Sequence, residues 1–182
     1  MMTTEVWKDQ VGIVPFVQTM DTVGDGSGTT EILGDFSAAT ETFEVAGPTA
    51  ADEHLVIVRV MVYTEDNASI DVEGYGGAAA LTNGLTLDVT DSAGASVVDL
   101  TPTPIKSNGD WGAYCFDTAV DTWGVGDEAF KARWTFSKFT DGSGLWLNNG
   151  QKLVLTANDS FTALVAHRVI AQGYRRGPGV FY

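Results

Sequence analysis

Residues 85–100 have the sequence LTLDVTDSAGASVVDL, and this stretch decides the fold class. Leucine and valine alternate with polar residues over 85–90, which places one face of a strand in a core and the other in water. Residues 91–94 are turn formers, and the apolar-rich run Ser96–Leu100 follows them. The stretch therefore predicts a β-hairpin.

The same pattern recurs along the whole chain, with short apolar runs separated by Gly, Asp, Asn and Ser. The strongest run is His54–Glu65, whose nearly continuous apolar middle indicates a strand covered on both faces. The other predicted strands are Thr30–Phe36, Thr40–Val45, Ser69–Val72, Trp111–Asp117, Arg133–Phe136, Leu153–Leu155 and Phe161–Gln172. No long amphipathic helix interrupts them, although residues 127–132 also fit one helical turn. The pattern predicts an all-β, jelly-roll-like antiparallel β-sandwich.

The predicted organisation is a single domain with extended N- and C-terminal arms. Residues 1–28 form an N-terminal arm and a flexible loop, residues 29–173 the β-sandwich, and residues 174–182 a C-terminal arm. Pro15 lacks a backbone donor, so the apolar run around it is predicted to be an edge strand or an arm on a surface. The Arg-Arg-Gly-Pro-Gly sequence at 175–179 predicts that the last strand ends before it.

Composition excludes several classes of protein. The chain has 182 residues, of which 44% are hydrophobic and 19% charged, and this balance is globular rather than disordered. No apolar stretch approaches the roughly 20 residues that a membrane helix needs, so no membrane partner is expected. The first residues lack a basic flank and an apolar core, which predicts synthesis in a cytoplasm.

The net charge of −14 is unevenly distributed. Residues 1–130 hold 22 of the 24 acidic residues and three of the ten basic ones, so the remainder of the chain is basic. The acidic part is consistent with simple solubility. The sharper hypothesis is that the basic C-terminal region docks on an acidic surface, such as a neighbouring copy. Most of the surface repels phosphate, so no nucleic acid partner is expected.

No catalytic or metal motif is present, and the chain is predicted not to be an enzyme and to bind no cofactor. Cys115 is the only cysteine, and it has the sequence context of a small buried hydrophobe. It forms no nucleophile motif with His54 or His167. A calcium loop starting at Asp21 fails the EF-hand spacing, whereas a different calcium site within Asp66–Glu73 stays open.

The five tryptophans allow two interpretations. They are Trp7, Trp111, Trp123, Trp134 and Trp146. Aromatic rings on a β-sandwich can stack on sugars, which would make the protein a carbohydrate-binding module or an adhesin. The favoured interpretation is that the rings fill a core or a subunit interface.

The strand and turn residues of the second half resemble a group of small virion structural proteins of tailed bacteriophages. The resemblance covers roughly residues 54–174. It is carried by Tyr75–Gly77, Leu81–Leu85, Asn108–Asp117, Arg133–Phe136, Leu145–Gly150, Leu153–Leu155, Asn158–Leu164 and Gln172–Tyr174. It implies a jelly-roll-like β-sandwich located in the virion, most simply as a capsid decoration (cement) protein that stabilises the shell. A tail, neck or fibre-attachment protein is the alternative within the same setting.

Interface residues are therefore expected rather than catalytic ones. The candidates lie in the two arms and are Trp7, Val14, Phe16, Arg175, Arg176, Phe181 and Tyr182. Arginine pairs well with carboxylates, and aromatic side chains anchor interfaces. The expected partners are other copies of the chain, as a homotrimer, and the major capsid protein or another virion protein.

Overall fold

A computed structural model of the protein describes residues 13–23, 41–66, 83–106, 116–124, 127–136, 144–158 and 166–177. These residues contain ten strands and no α-helix. The strands are β1 (Ile13–Val23), β2 (Glu41–Ala46), β3 (His54–Asp66), β4 (Leu85–Thr90), β5 (Ser96–Asp99), β6 (Phe116–Gly124), β7 (Asp127–Thr135), β8 (Leu145–Leu147), β9 (Lys152–Ala157) and β10 (Ala166–Arg176). The prediction of an all-β fold is confirmed.

The strands form two antiparallel sheets. Sheet A has the order β1-β10-β3-β7-β6, with β8 pairing the same edge of β3 as β7 but nearer its start. Sheet B has the order β2-β9-β4-β5. The pairs β1–β10, β2–β9, β3–β8 and β4–β5 are nested in the sequence and alternate between the two sheets, which is the arrangement of a jelly roll.

The hydrophobic core lies between the sheets, because each strand points alternate side chains inward. Sheet B contributes residues with a strict period of two, namely Phe43, Val45, Leu85, Leu87, Val89, Leu153, Leu155 and Ala157. Sheet A contributes Leu55, Ile57, Val60, Val62, Trp134, Leu147, Val169 and Ala171. Burial of these side chains is the main favourable contribution to folding.

A β-bulge in β3 determines which side chains of this strand point into the core. Ile57 pairs with Gly173 and Arg59 pairs with Gln172, so Val58 is an extra residue opposite β10. An extra residue shifts the side-chain alternation by one position. As a result, the inward-facing residues are Leu55 and Ile57 before the bulge and Val60 and Val62 after it. Arg59 is half-buried and bonds to a side chain of β10, away from this core cluster.

The β4–β5 hairpin is confirmed, and its turn shows why this sequence forms it. The Asp91 carboxylate accepts hydrogen bonds from the backbone N–H groups of Ala93 and Ala95, at 2.8 and 2.9 Å. Gly94 has a φ of 85°, which favours glycine. Residue Val97 bulges out of the β4–β5 ladder, and this bulge interrupts regular pairing at the edge of sheet B.

The Pro-rich segment after β5, residues 101–105, runs along β4. Ile105 pairs with Leu85 through two backbone hydrogen bonds of 2.8 and 2.9 Å. Nearer the start of the same segment, the buried Thr101 hydroxyl accepts a hydrogen bond of 2.8 Å from the backbone N–H of Leu87. The segment therefore completes the hydrogen bonding of β4 where β5 has ended.

Two predicted element bounds need correction. Residues 127–132 belong to β7 rather than a helical turn, because β6 and β3 both pair with them. The end of the predicted strand Trp111–Asp117 lies in β6 (Phe116–Gly124), and the part before Phe116 lies outside the described residues. The last strand continues to Arg176 instead of stopping before the arginines, since β1 and β3 pair with it on both sides. The predicted strands at Thr30–Phe36 and Ser69–Val72 lie outside the described residues.

Gly173 is required where β10 passes the bulge of β3. A Cβ atom at this position would lie 1.9 Å from the Val56 carbonyl oxygen, and backbone cannot yield as a flexible side chain can. We expect Gly173→Ala to lower the free energy of unfolding by about 3 kcal/mol, because the two strands must separate. Urea denaturation measures this loss.

Gly177→Ala is the matched control, because a Cβ atom there meets nothing within 4 Å. The control is expected to change stability by less than about 0.5 kcal/mol. Equal effects of the two substitutions would contradict the close approach of β3 and β10.

Candidate functional site

The structure brings parts of the two predicted arms together. Val14 and Phe16 lie in β1, opposite Arg175 and Gly173 of β10. Among the described strands, β1 is at an edge of sheet A, as the sequence around Pro15 predicted. Residues of both predicted arms are therefore neighbours in one sheet. The other candidate interface residues, Trp7, Phe181 and Tyr182, lie outside the described residues.

The tryptophans divide between the core and the surface. Trp134 is fully buried between the sheets, as the favoured interpretation predicted. Trp146 is 36% exposed and lies on the opposite side of sheet A from the core. Trp123 lies in β6, and Trp7 and Trp111 lie outside the described residues.

A compact group of side chains surrounds Trp146 on the outer face of sheet A. We call it the Arg176 cluster, and it consists of His54, Val56, Trp146, Tyr174 and Arg176. The guanidinium carbon of Arg176 lies 5.0 Å from the ring centre of Trp146 and 5.6 Å from that of Tyr174. The His54 ring lies 5.1 Å from the Trp146 ring at a tilt of 53°. These distances are those of cation–π and tilted aromatic contacts.

The register of three strands builds the cluster. Val56 of β3 pairs with Trp146 of β8 on one side and with Tyr174 of β10 on the other, and His54 pairs with Arg176. Directly paired residues point to the same face of a sheet. Val56 points away from the main core and is nevertheless fully buried, so its flanking neighbours form a second, smaller apolar centre.

His54 is held in place by the loop after β8. Its Nδ1 atom lies 3.0 Å from the Oδ1 atom of Asn148, and the amide oxygen accepts the hydrogen bond. The backbone N–H of Asn148 in turn donates to the Gln151 side chain at 2.8 Å. The imidazole orientation is therefore fixed by a chain of hydrogen bonds.

Beyond the cluster, the outer face of sheet A carries arginines beside apolar and acidic positions. The next row of paired residues contains Val17, Gln172, Arg59 and Thr135, followed by a row with Ile170, Met61, Arg133 and Asp117. Arg59 donates a hydrogen bond of 3.1 Å to the Gln172 side chain. Val17 is 62% exposed, the highest value among the described large apolar side chains. The described side chains on this face include arginines and apolar groups, and the register places Asp117 opposite Arg133 and Asp21 opposite Arg168.

The outer face of sheet B is polar and acidic instead. One row across it contains Glu44, Val154, Asp88 and Asp99. Glu44 accepts an ion-pair contact of 2.7 Å from Lys152. Burial raises the pKa of Asp88, the Ser96 hydroxyl bond lowers it, and the charge of Asp99 directly opposite raises it further.

Catalytic and metal-binding hypotheses gain no support from the described side chains. Cys115 lies outside the described residues, and for His167 the structure describes only the backbone position in β10. Within the described ranges, no group of three or more His, Cys, Asp or Glu residues is placed to hold a metal ion. The proposed calcium segment Asp66–Glu73 falls almost wholly outside those ranges. Among the described residues, no helix is long and apolar enough to cross a membrane.

Comparison with known proteins does not assign the chain to a family. No protein-family model matches the chain, and no curated protein matches it.

The acidic row predicts a pH-dependent stability effect at Asp88. Because burial raises the pKa of the folded-state carboxyl, ionisation costs the folded state free energy as pH rises past the ordinary aspartate value. We expect Asp88→Asn to increase the free energy of unfolding at pH 7 by up to about 1 kcal/mol. The gain should vanish near pH 3, where the wild-type carboxyl is protonated.

Thermal unfolding at both pH values measures this effect, with Asp52→Asn as the control in the exposed loop before β3. An equal gain for the two variants, or a gain independent of pH, would show that Asp88 carries no such penalty.

Proposed function

We propose that the protein is a structural component of a virus particle, which acts by binding other proteins rather than by catalysis. The observation that carries this proposal is the outer face of sheet A. That face presents the exposed Val17 beside Arg59, in a chain with a net charge of −14. A contiguous face of this kind is typical of an interaction surface. The resemblance of residues 54–174 to phage virion proteins points to the same class.

Within that class, we propose a decoration protein on the shell of a tailed bacteriophage. Such a protein spans the seams between neighbouring capsid subunits and stabilises them by burying area, typically about 1,600 Å² for a stable contact. Many copies add their small contributions into resistance to internal pressure. Arg59 and Arg176 on this face suit carboxylates of the major capsid protein, since complementary charge steers and orients binding. A tail, neck or fibre-attachment role uses the same face at fewer positions.

The docking face is tested by an exposed valine on each sheet. Val17→Glu places a charge on the outer face of sheet A, and we expect it to weaken attachment to shells at least tenfold by burying an unpaired carboxylate. Val97→Glu is the matched control, because Val97 is 51% exposed at the edge of sheet B. Co-sedimentation of purified protein with expanded shells measures attachment. Equal attachment of the two variants would place docking elsewhere.

The position on the particle follows from copy number. Quantitative mass spectrometry of purified particles should give a number of copies comparable to that of the major shell protein. A few copies per particle would favour the tail, neck or fibre-attachment role. Absence from purified particles would overturn the virion proposal.

Self-association is expected as a homotrimer, because such shells offer sites of local threefold symmetry. Sedimentation velocity at micromolar concentrations should show a species of three times the 19.3 kDa monomer mass. The trimer should persist in Val97→Glu. A monomer at all concentrations, both free and when bound to shells, would contradict this prediction.

A further inference from the structure

Arg176 differs from the other described cations on the sheets. Lys152 pairs with Glu44 at 2.7 Å, and Arg59 donates to Gln172 at 3.1 Å. Within the described part of the chain, Arg176 contacts two aromatic rings, and its buried Nε atom has no hydrogen-bond partner. A partly buried guanidinium costs free energy unless an anion or an acceptor satisfies it. The site therefore has the donors for a carboxylate but holds no carboxylate.

The polar groups beside Arg176 suit hydroxyl groups. The Nδ1 atom of His54 lies 3.0 Å from the Asn148 amide oxygen, so Nε2 is the ring nitrogen that remains for a ligand hydroxyl. The side-chain amide of Asn148 keeps its N–H donors for another partner. Amide donors and a ring nitrogen thus lie close to a tryptophan ring that is 36% exposed. A ligand with hydroxyl groups around an apolar ring face matches this combination.

We propose that the Arg176 cluster and Asn148 bind a sugar that bears a carboxylate, such as a uronic acid. Arg176 pairs with the carboxylate, Trp146 packs against the apolar face of the sugar, and Asn148 and His54 bond to its hydroxyl groups. This activity does not require particle attachment, although the two share the outer face of sheet A. An acidic peptide would satisfy Arg176 but would leave the amide and the imidazole without hydroxyl partners. The net charge of −14 disfavours a polyanion, so one carboxylate per site is expected.

The test uses three probes of matched size with the full-length protein. Cellobiouronic acid carries one glucuronate, cellobiose is its neutral counterpart, and acetyl-Ala-Glu-Ala-amide carries a carboxylate without a sugar. The readout is the indole N–H signal of Trp146 in a ¹H–¹⁵N spectrum, assigned through Trp146→Phe. We expect saturable shifts with cellobiouronic acid at millimolar concentration, and binding of the other two probes weaker by about tenfold.

Substitutions identify the groups that bind. Arg176→Gln should weaken cellobiouronic acid binding by about tenfold and leave cellobiose unchanged. Lys106→Gln removes the same charge at an exposed position directly after the Pro-rich segment that pairs with β4. It should leave the binding of both disaccharides unchanged. Arg176→Lys keeps the charge but loses the planar fork, so it should fall between wild type and Arg176→Gln. The remaining amide signals report whether each variant is folded.

Three results would overturn the proposal. Equal binding of cellobiose and cellobiouronic acid would show that the carboxylate is not recognised. Peptide binding as tight as disaccharide binding would show that the site binds carboxylates of proteins, as a docking surface does. A Trp146 signal that does not move at about 20 mM of any probe would show that the cluster only stabilises the fold.

Discussion

The structure depends on β3, which is the central strand of sheet A and contains the bulge at Val58. Strands β10, β7 and β8 all pair with it, so its alternation sets the phase of the whole sheet. If this sequence formed a regular strand with no bulge, Arg59 and Met61 would point into the core in place of Val60 and Val62. The bulge therefore has two effects at once. It keeps the core apolar, and it places an arginine on the outer face that we propose as the docking surface.

Local alternation was sufficient to predict sheet B. Strands β2, β4 and β9 have apolar residues at every second position, and their burial in the structure follows the same period. The phase of β3 could not be predicted, because Leu55–Val58 is apolar at odd and even positions alike. The end of β10 was missed for a different reason. Arg175 and Arg176 disfavour a strand locally, but neighbouring strands on both sides supply hydrogen bonds that no local pattern records.

The Arg176 cluster could be predicted only in part. Arg176 was a candidate interface residue, and Trp146 was one of five tryptophans considered together. Trp134 and Trp146 both lie in short predicted strand runs, Arg133–Phe136 and Leu145–Leu147, and neither run alone shows which of the two rings packs in the core. The cluster joins residues from β3, β8 and β10, which are separated by about ninety and thirty residues along the chain. Its assembly requires the register of three strands, and register is a tertiary property.

The nested pairing also has a consequence for how the chain acquires its fold. The innermost pair, β4–β5, joins residues 88 and 99, whereas the outermost pair, β1–β10, joins residues 13 and 176. Closing a longer loop costs more chain entropy, and folds rich in distant pairings fold slowly. During synthesis, sheet A cannot be completed until β10, which pairs with both β1 and β3, has left the ribosome. Until then one edge of β3 is unpaired, so we expect aggregation to compete with folding mainly in the unfinished chain.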